Sequence, residues 1–162
     1  MKNLIIAPHG DDEIIGCYTV LSESQKNSHV IFIDYETHVN EIRQSSKYFK
    51  FSFELKSNFC EKFNFKNCCG KNVYVPDPFC ESNSLHRRVG MLVYAFWLEN
   101  PIFFLNFYTT QMNSFYVQTL SIKNRNNKKL LLNNLYPLQK DLWLHDYKYF
   151  LYEGQICIRS VK

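Results

Sequence analysis

The stretch Asn3-Leu4-Ile5-Ile6-Ala7-Pro8-His9-Gly10-Asp11-Asp12-Glu13-Ile14-Ile15-Gly16-Cys17 decides how this chain is read. It begins with a short continuous apolar run, the pattern of a strand covered on both faces. The run stops at a polar turn, after which Ile14, Ile15, Tyr18 and Leu21 recur at helical spacing. Acids in the first turn suit a helix start, both as caps and against the positive end of the dipole. A second apolar run, His29 to Asp34, is followed by helical periodicity from Glu36 to Phe51, with Val39, Ile42, Ser46 and Phe49 on one side. Strand, helix, strand, helix argues for a parallel sheet joined by right-handed crossovers.

Outward from this start the same alternation continues. Phe51 to Leu55 and Asn72 to Pro76 read as the third and fourth strands, with an irregular connection over Lys56 to Lys71. Leu85 to Leu98 reads as a helix, Pro101 to Tyr108 as the fifth strand, and Ser114 to Leu120 as strand-like. Lys128 to Lys140 carries leucines at helical spacing, and Gln155 to Arg159 is a last strand. No repeat and no linker interrupts the chain, so residues 1–162 read as a single domain. The expected fold class is α/β: a Rossmann-like open, mostly parallel sheet with helices on both faces.

Composition agrees. With 162 residues, 46% of them hydrophobic and 21% charged, and with few Gly or Pro, the chain is neither disordered nor fibrous. Aromatic residues make up 17%, which reads as compositional drift of the source genome. The aromatics at 103, 104, 107, 108, 115 and 116 alternate as core strand residues do. A net charge of +4 is too mild to call for nucleic acid, which needs a concentrated basic face. The densest basic stretch, Lys123 to Lys129, reads as a solvated loop or helix start. The longest apolar run, Val89 to Leu98, is about half a membrane span, and the N-terminal apolar run is too short for a signal-peptide core. The expected location is cytoplasmic. There Cys17, Cys60, Cys68, Cys69, Cys80 and Cys157 are free thiols, and they lack the paired C-x-x-C spacing of a zinc ribbon.

In an open parallel sheet, ligand-binding groups sit at the carboxyl ends of the strands. The first turn puts an imidazole, His9, and two adjacent carboxylates, Asp11 and Asp12, at that end. An imidazole and a carboxylate are two thirds of a catalytic zinc site, and one more His would complete it while leaving a position for water. A neighbouring carboxylate could then take the proton of that water, the chemistry needed to hydrolyse an unreactive bond. The same pentapeptide can also be a plain turn followed by a helix cap. His29, His38 and His145 read as structural, His29 at a strand start and the other two on helix surfaces; His145 or a Tyr is where a substitute proton donor would be sought.

The segment from Ala7 to Cys17 resembles the signature of the PIG-L/LmbE-like deacetylases, zinc-dependent enzymes that remove acyl groups, usually acetyl, from amino sugars. It departs from their pattern at Gly10, where Pro is usual, and at Tyr18-Thr19, where glycine is common. The resemblance implies His9 and Asp12 as metal ligands, Asp11 as general base and Glu13 as a supporting residue. The family's second motif, H-P-D-H followed by R, corresponds to Asn83-Ser84-Leu85-His86-Arg87. This implies His86 as third ligand, Arg87 as a supporting residue, and Asn83 in place of the family's catalytic His. Asn83 can donate a hydrogen bond to an oxyanion but cannot deliver a proton. Glu41 fits an acid of the family's second helix, while Arg43 lies out of register. Tyr136 to Gln139 and Tyr152-Glu153 are similar to further short segments of the family.

The expected function is therefore zinc-dependent hydrolysis of an N-acetyl group on an N-acetylglucosamine-type conjugate, a small-molecule substrate, with another divalent metal possible in place of zinc. Two alternatives stand beside it. One is a non-catalytic metal- or glycan-binding descendant of the fold; the other is an amidase acting on another acylated conjugate. Oligomeric state is open. Family members are commonly longer, and the shortfall here falls around Phe51 to Val75 and after the fifth strand.

Overall fold

Strand β1 (Asn3–His9) lies inside the sheet and is buried along its length except at His9. The computed structural model describes residues 2–57, 71–79, 81–95, 102–106, 117–143 and 152–158. β1 pairs in parallel with β2 (Ser28–Asp34) on one side and β4 (Asn72–Pro76) on the other. In this register His9 stands opposite Asp34, level with the end of the neighbouring strand. β3 (Ser52–Leu55) continues the parallel set beyond β2, and β5 (Ile102–Asn106) continues it beyond β4. β7 (Tyr152–Ile158) then runs antiparallel to β5, with β6 (Val117–Thr119) antiparallel to it. The order among the described strands is β3-β2-β1-β4-β5-β7-β6. It reverses direction of growth between β1 and β4, the crevice at which open α/β sheets bind ligands.

Alternation along β1 divides the core in two. Ile5 and Ala7 join Val30 and Phe32 of β2 in one cluster, packed by α1 (Asp12–Ser24), α2 (Val39–Phe49) and, through Leu131 and Leu132, by a helix over Ile122–Leu135. Leu4 and Ile6 join Ile31, Ile33, Val73 and Val75 on the opposite face, packed by Val89 and Val93 of α3 (Ser84–Ala95). Each fully buried Leu, Ile or Phe contributes roughly 1.5–3 kcal/mol of burial, so both faces are held independently. The helix over Ile122–Leu135 is α4, and a short α5 (Lys140–Trp143) follows a 3-10 turn at Pro137–Gln139.

Local chemistry sets the ends of these elements. Ser121 Oγ accepts from Asn124 N at 3.2 Å and caps α4. Lys50, at φ 59°, closes α2 in the left-handed conformation. Two glycines matter for the site. A Cβ on Gly90 would lie 2.3 Å from the Pro76 carbonyl, so only glycine lets α3 approach the end of β4. That approach carries His86, one turn earlier on the helix, over the sheet edge. A Cβ on Gly10 would lie 2.9 Å from His38 Cβ, so the first turn and the start of α2 are in tight contact.

Several boundaries differ from the sequence reading. α4 begins at Ile122 rather than Lys128, so the basic stretch is the start of a helix. Lys128 inside it is fully buried, against the solvated reading, because Ile15 O and Glu153 supply partners from distant parts of the chain. Ser45 rather than Ser46 faces the core from α2, and the last strand runs Tyr152–Ile158. His38 is half-buried at the N-terminus of α2, packed under Gly10. Cys60, Cys68, Cys69, Cys80, His145 and the aromatics at 107, 108, 115 and 116 lie outside the described residues. Among the described residues no helix is long and apolar enough to cross a membrane.

Candidate metal centre

His9 ends β1, Asp12 opens α1 and His86 lies in the first turn of α3, so three elements deliver one side chain each to the β1/β4 crevice. His9 Nδ1 is 3.0 Å from His86 Nε2 and 3.3 Å from Asp12 Oδ2. Asp12 Oδ2 and His86 Nε2 are 3.2 Å apart, closing a nearly equilateral triangle. A tetrahedral zinc ion with ligand distances of about 2.0–2.2 Å has edges of about 3.3–3.6 Å, so the triangle is close to one face of such a site and slightly tighter. Among the described residues these three are the group whose donor atoms converge closely enough for an ion. The donor set, two imidazoles and a carboxylate, also suits zinc or a similar divalent metal. The His9 side chain is 25% exposed while Asp12 and His86 are fully buried, so access is from the His9 side.

Each of the three side chains is held from behind. The His9 backbone N–H donates to Asp12 Oδ2 at 2.8 Å, locking the turn. His86 presents its other nitrogen, Nδ1, to Glu81 Oε2 at 3.3 Å, the carboxylate support common behind metal-bound histidines. Asn83 Oδ1 accepts from the backbone N–H groups of Leu85 and His86, at 2.9 and 3.4 Å. Asn83 is thus the N-cap of α3. Arg87 donates to the carbonyls of Glu81 and Ser82 at 2.8 and 2.7 Å, tying the loop that carries Glu81 to the start of α3.

The two remaining acids of the first turn behave oppositely. Glu13 Oε1 accepts from Ser45 Oγ at 2.7 Å and from Tyr136 OH at 2.5 Å, and its Oε2 accepts from the Asp11 backbone N–H at 3.0 Å. It joins α1, α2 and the end of α4 and makes no contribution to the triangle. Asp11 is equally buried, yet both carboxylate oxygens lack a hydrogen-bond partner. Its carbonyl accepts from the Ile14 and Ile15 N–H groups, but its side chain makes no cap hydrogen bond, which separates this turn from a side-chain-capped helix start. Its backbone has φ 134°, a conformation costing on the order of 1–3 kcal/mol in a non-glycine residue.

The charges of these groups follow from their surroundings. Burial, with Asp12, Glu13 and Glu41 nearby, pushes the Asp11 carboxyl well above its ordinary range. Burial also pushes Glu13 up, to about 7, against the hydrogen bonds from Ser45 and Tyr136. At Asp12 burial is outweighed by His86 and His9, which hold the carboxyl far below the usual range. At His86 burial favours the neutral ring, but Asp12 and Glu81 outweigh it and raise the imidazole to about 9.

The sequence reading singled out the triangle and its two flanking acids but missed Glu81, Ser45 and the environment of His38. His38 Nδ1 meets Glu41 Oε2 at 2.5 Å, and its Nε2 lies 2.9 Å from the Gln139 amide. An acid five positions before a histidine carries no local signal; only the loop's path brings Glu81 back to His86. Tyr136 and Gln139, weak matches by sequence, converge here on Glu13 and His38. No protein-family model, curated protein or solved structure matches this chain.

Proposed function

We propose that the protein is a zinc-dependent hydrolase with a Rossmann-like fold that removes the N-acetyl group from an N-acetylglucosamine-type conjugate, as the PIG-L/LmbE resemblance implies. The observation that carries this reading is the triangle of His9, Asp12 and His86 with a buried, unpartnered Asp11 beside it. His9, Asp12 and His86 would hold the ion. When bound, a divalent metal acidifies water and polarises the amide carbonyl. Asp11 takes the proton of the attacking water and returns it to the leaving amine; one C–O bond forms, the C–N bond breaks, and acetate and amine result. Positive charge beside Asp11 favours its carboxylate form and so readies it as a base. Glu13 fixes the Asp11 backbone through its N–H, and Asn83 offers its amide nitrogen to the oxyanion.

A second reading, metal binding without turnover, is favoured by one observation: Asn83 spends its side-chain oxygen capping α3, where a catalytic imidazole would otherwise stand. Metal analysis with an assay of acetate release from a panel of N-acetylated amino sugars tests both. The enzyme reading expects bound metal and acetate release that His9→Ala abolishes. Bound metal with no release on any substrate supports the second reading, and no bound metal refutes both.

A further inference from the structure

Helix α1 is kinked: Cys17, at φ −132° and ψ 24°, is non-helical in its interior. Around the kink, the two groups that pair in an unbroken helix, the Ile15 carbonyl and the Thr19 N–H, each meet a charged side chain from elsewhere. Lys128 Nζ of α4 donates to Ile15 O at 2.5 Å. The Glu153 carboxylate of β7 accepts from Thr19 N at 3.1 and 3.2 Å. Lys128 and Glu153 are themselves 3.6 Å apart and fully buried. A side chain or ion inserted into the helix ladder is a recognised cause of such a bend.

We propose that the buried Lys128–Glu153 pair is a positioning device for the metal centre, holding the first turn of α1 in the orientation that aims Asp12 at His9 and His86. The inference rests on the metal-site reading above. Its ground is that α4 grips this turn twice from one face. Lys128, Leu132 and Tyr136 follow at spacing of four; Lys128 holds the Ile15 carbonyl while Tyr136 holds the Glu13 carboxylate. Glu153 takes the amide on the other side of the kink, so the turn bearing Asp12 and Glu13 is fixed separately from the rest of α1. Stability alone does not call for this arrangement, because apolar residues of similar size commonly replace a buried ion pair at no cost.

The test is the double variant Lys128→Met with Glu153→Leu in the full chain, followed by urea unfolding and titration with cobalt(II). The expected result is a folded protein, with a midpoint at or above the parent's, that binds cobalt at least tenfold more weakly and with an altered visible spectrum. Unchanged affinity and spectrum in a folded double variant overturn the proposal while leaving the metal site standing; a parent that binds no cobalt overturns the metal site and this inference together. If the double variant does not fold, amide exchange in the parent decides. Coupling is reciprocal, so cobalt must slow exchange at Thr19 at least tenfold; unchanged exchange there overturns the proposal.

Discussion

Asp11 and Glu13 stand two residues apart at the head of α1, both buried, and their surroundings are opposite. Glu13 has a partner for each oxygen, drawn from α2, the end of α4 and the turn itself. Asp11 has none, and its backbone is held in a conformation that non-glycine residues avoid. A satisfied buried carboxylate knits elements together; an unsatisfied one costs stability and persists where surrounding structure enforces it. The back of the turn is thus architecture, and the front carries the chemistry proposed above. Glu13 and the Lys128–Glu153 pair hold the far side of the turn, while Asp12 on the near side faces His9 and His86.

The sharpest way to break this comparison is to exchange the two effects. Asp11→Asn should lower acetate release by about 10²–10⁴-fold, the usual worth of a general base, while urea unfolding moves by less than about 1 kcal/mol or toward higher stability. Glu13→Ala should do the reverse to the fold. It strands the Ser45 hydroxyl, the Tyr136 hydroxyl and the Asp11 N–H, and should cost about 3 kcal/mol in urea unfolding. If Asp11→Asn unfolds the protein and Glu13→Ala does not, front and back are wrongly assigned.

A finer test lies one layer behind the ligands. Glu81→Gln keeps shape but removes the anion that faces His86 Nδ1. Loss of a supporting carboxylate typically costs about 10–100-fold in metal affinity, measured by competition with a chromogenic chelator. An unchanged affinity would mean that Glu81 serves the loop alone.

Much of this site was legible in the chain because its decisive part is local. Strand, turn and helix occupy residues 3 to 24, and the positions of His9, Asp11 and Asp12 follow from that succession. His86 was reached through the short motif around it. What remained hidden was non-local. Ser45 and Ser46 are equally plausible inward positions by periodicity, and only the packing of α2 on α1 selects Ser45. Lys128 looks solvated amid Lys123 to Lys129, since nothing nearby reveals that Glu153 and the Ile15 carbonyl will meet it. Apolar runs also carry no direction, so the antiparallel course of β7 beside β5 could not be read from its residues. Asn83 was read by its place in a motif; as a short polar residue before a helix, it could equally have been recognised as a cap.

The smallest expected effect is on the pH profile of the metal-free protein. Glu13 is raised from 4.5 to about 7 by burial, so its contribution to stability is present below pH 4.5 and lost as pH rises through 7. At His86, Asp12 and Glu81 outweigh burial and raise it from 6.5 to about 9, so its contribution is present below pH 6.5 and lost as pH rises through 9. The metal-free melting temperature should therefore fall by several degrees between pH 5 and 9. Metal binding requires His86 to give up its proton and should tighten over the same range, so the melting curves of loaded and metal-free protein separate as pH rises. A metal-free protein that grows more stable toward pH 9 would contradict the charge arrangement around Asp12.

The most direct test of the central claim is a calorimetric titration of the metal-free chain with zinc at pH 7.5, beside His9→Ala and His86→Ala. Three side chains from three elements, converging within a triangle of 3.0 to 3.3 Å, predict one zinc ion per chain with release of protons, and at least a hundredfold weaker binding in either variant. Binding that is absent in the parent, or undiminished when His9 or His86 is removed, would contradict it.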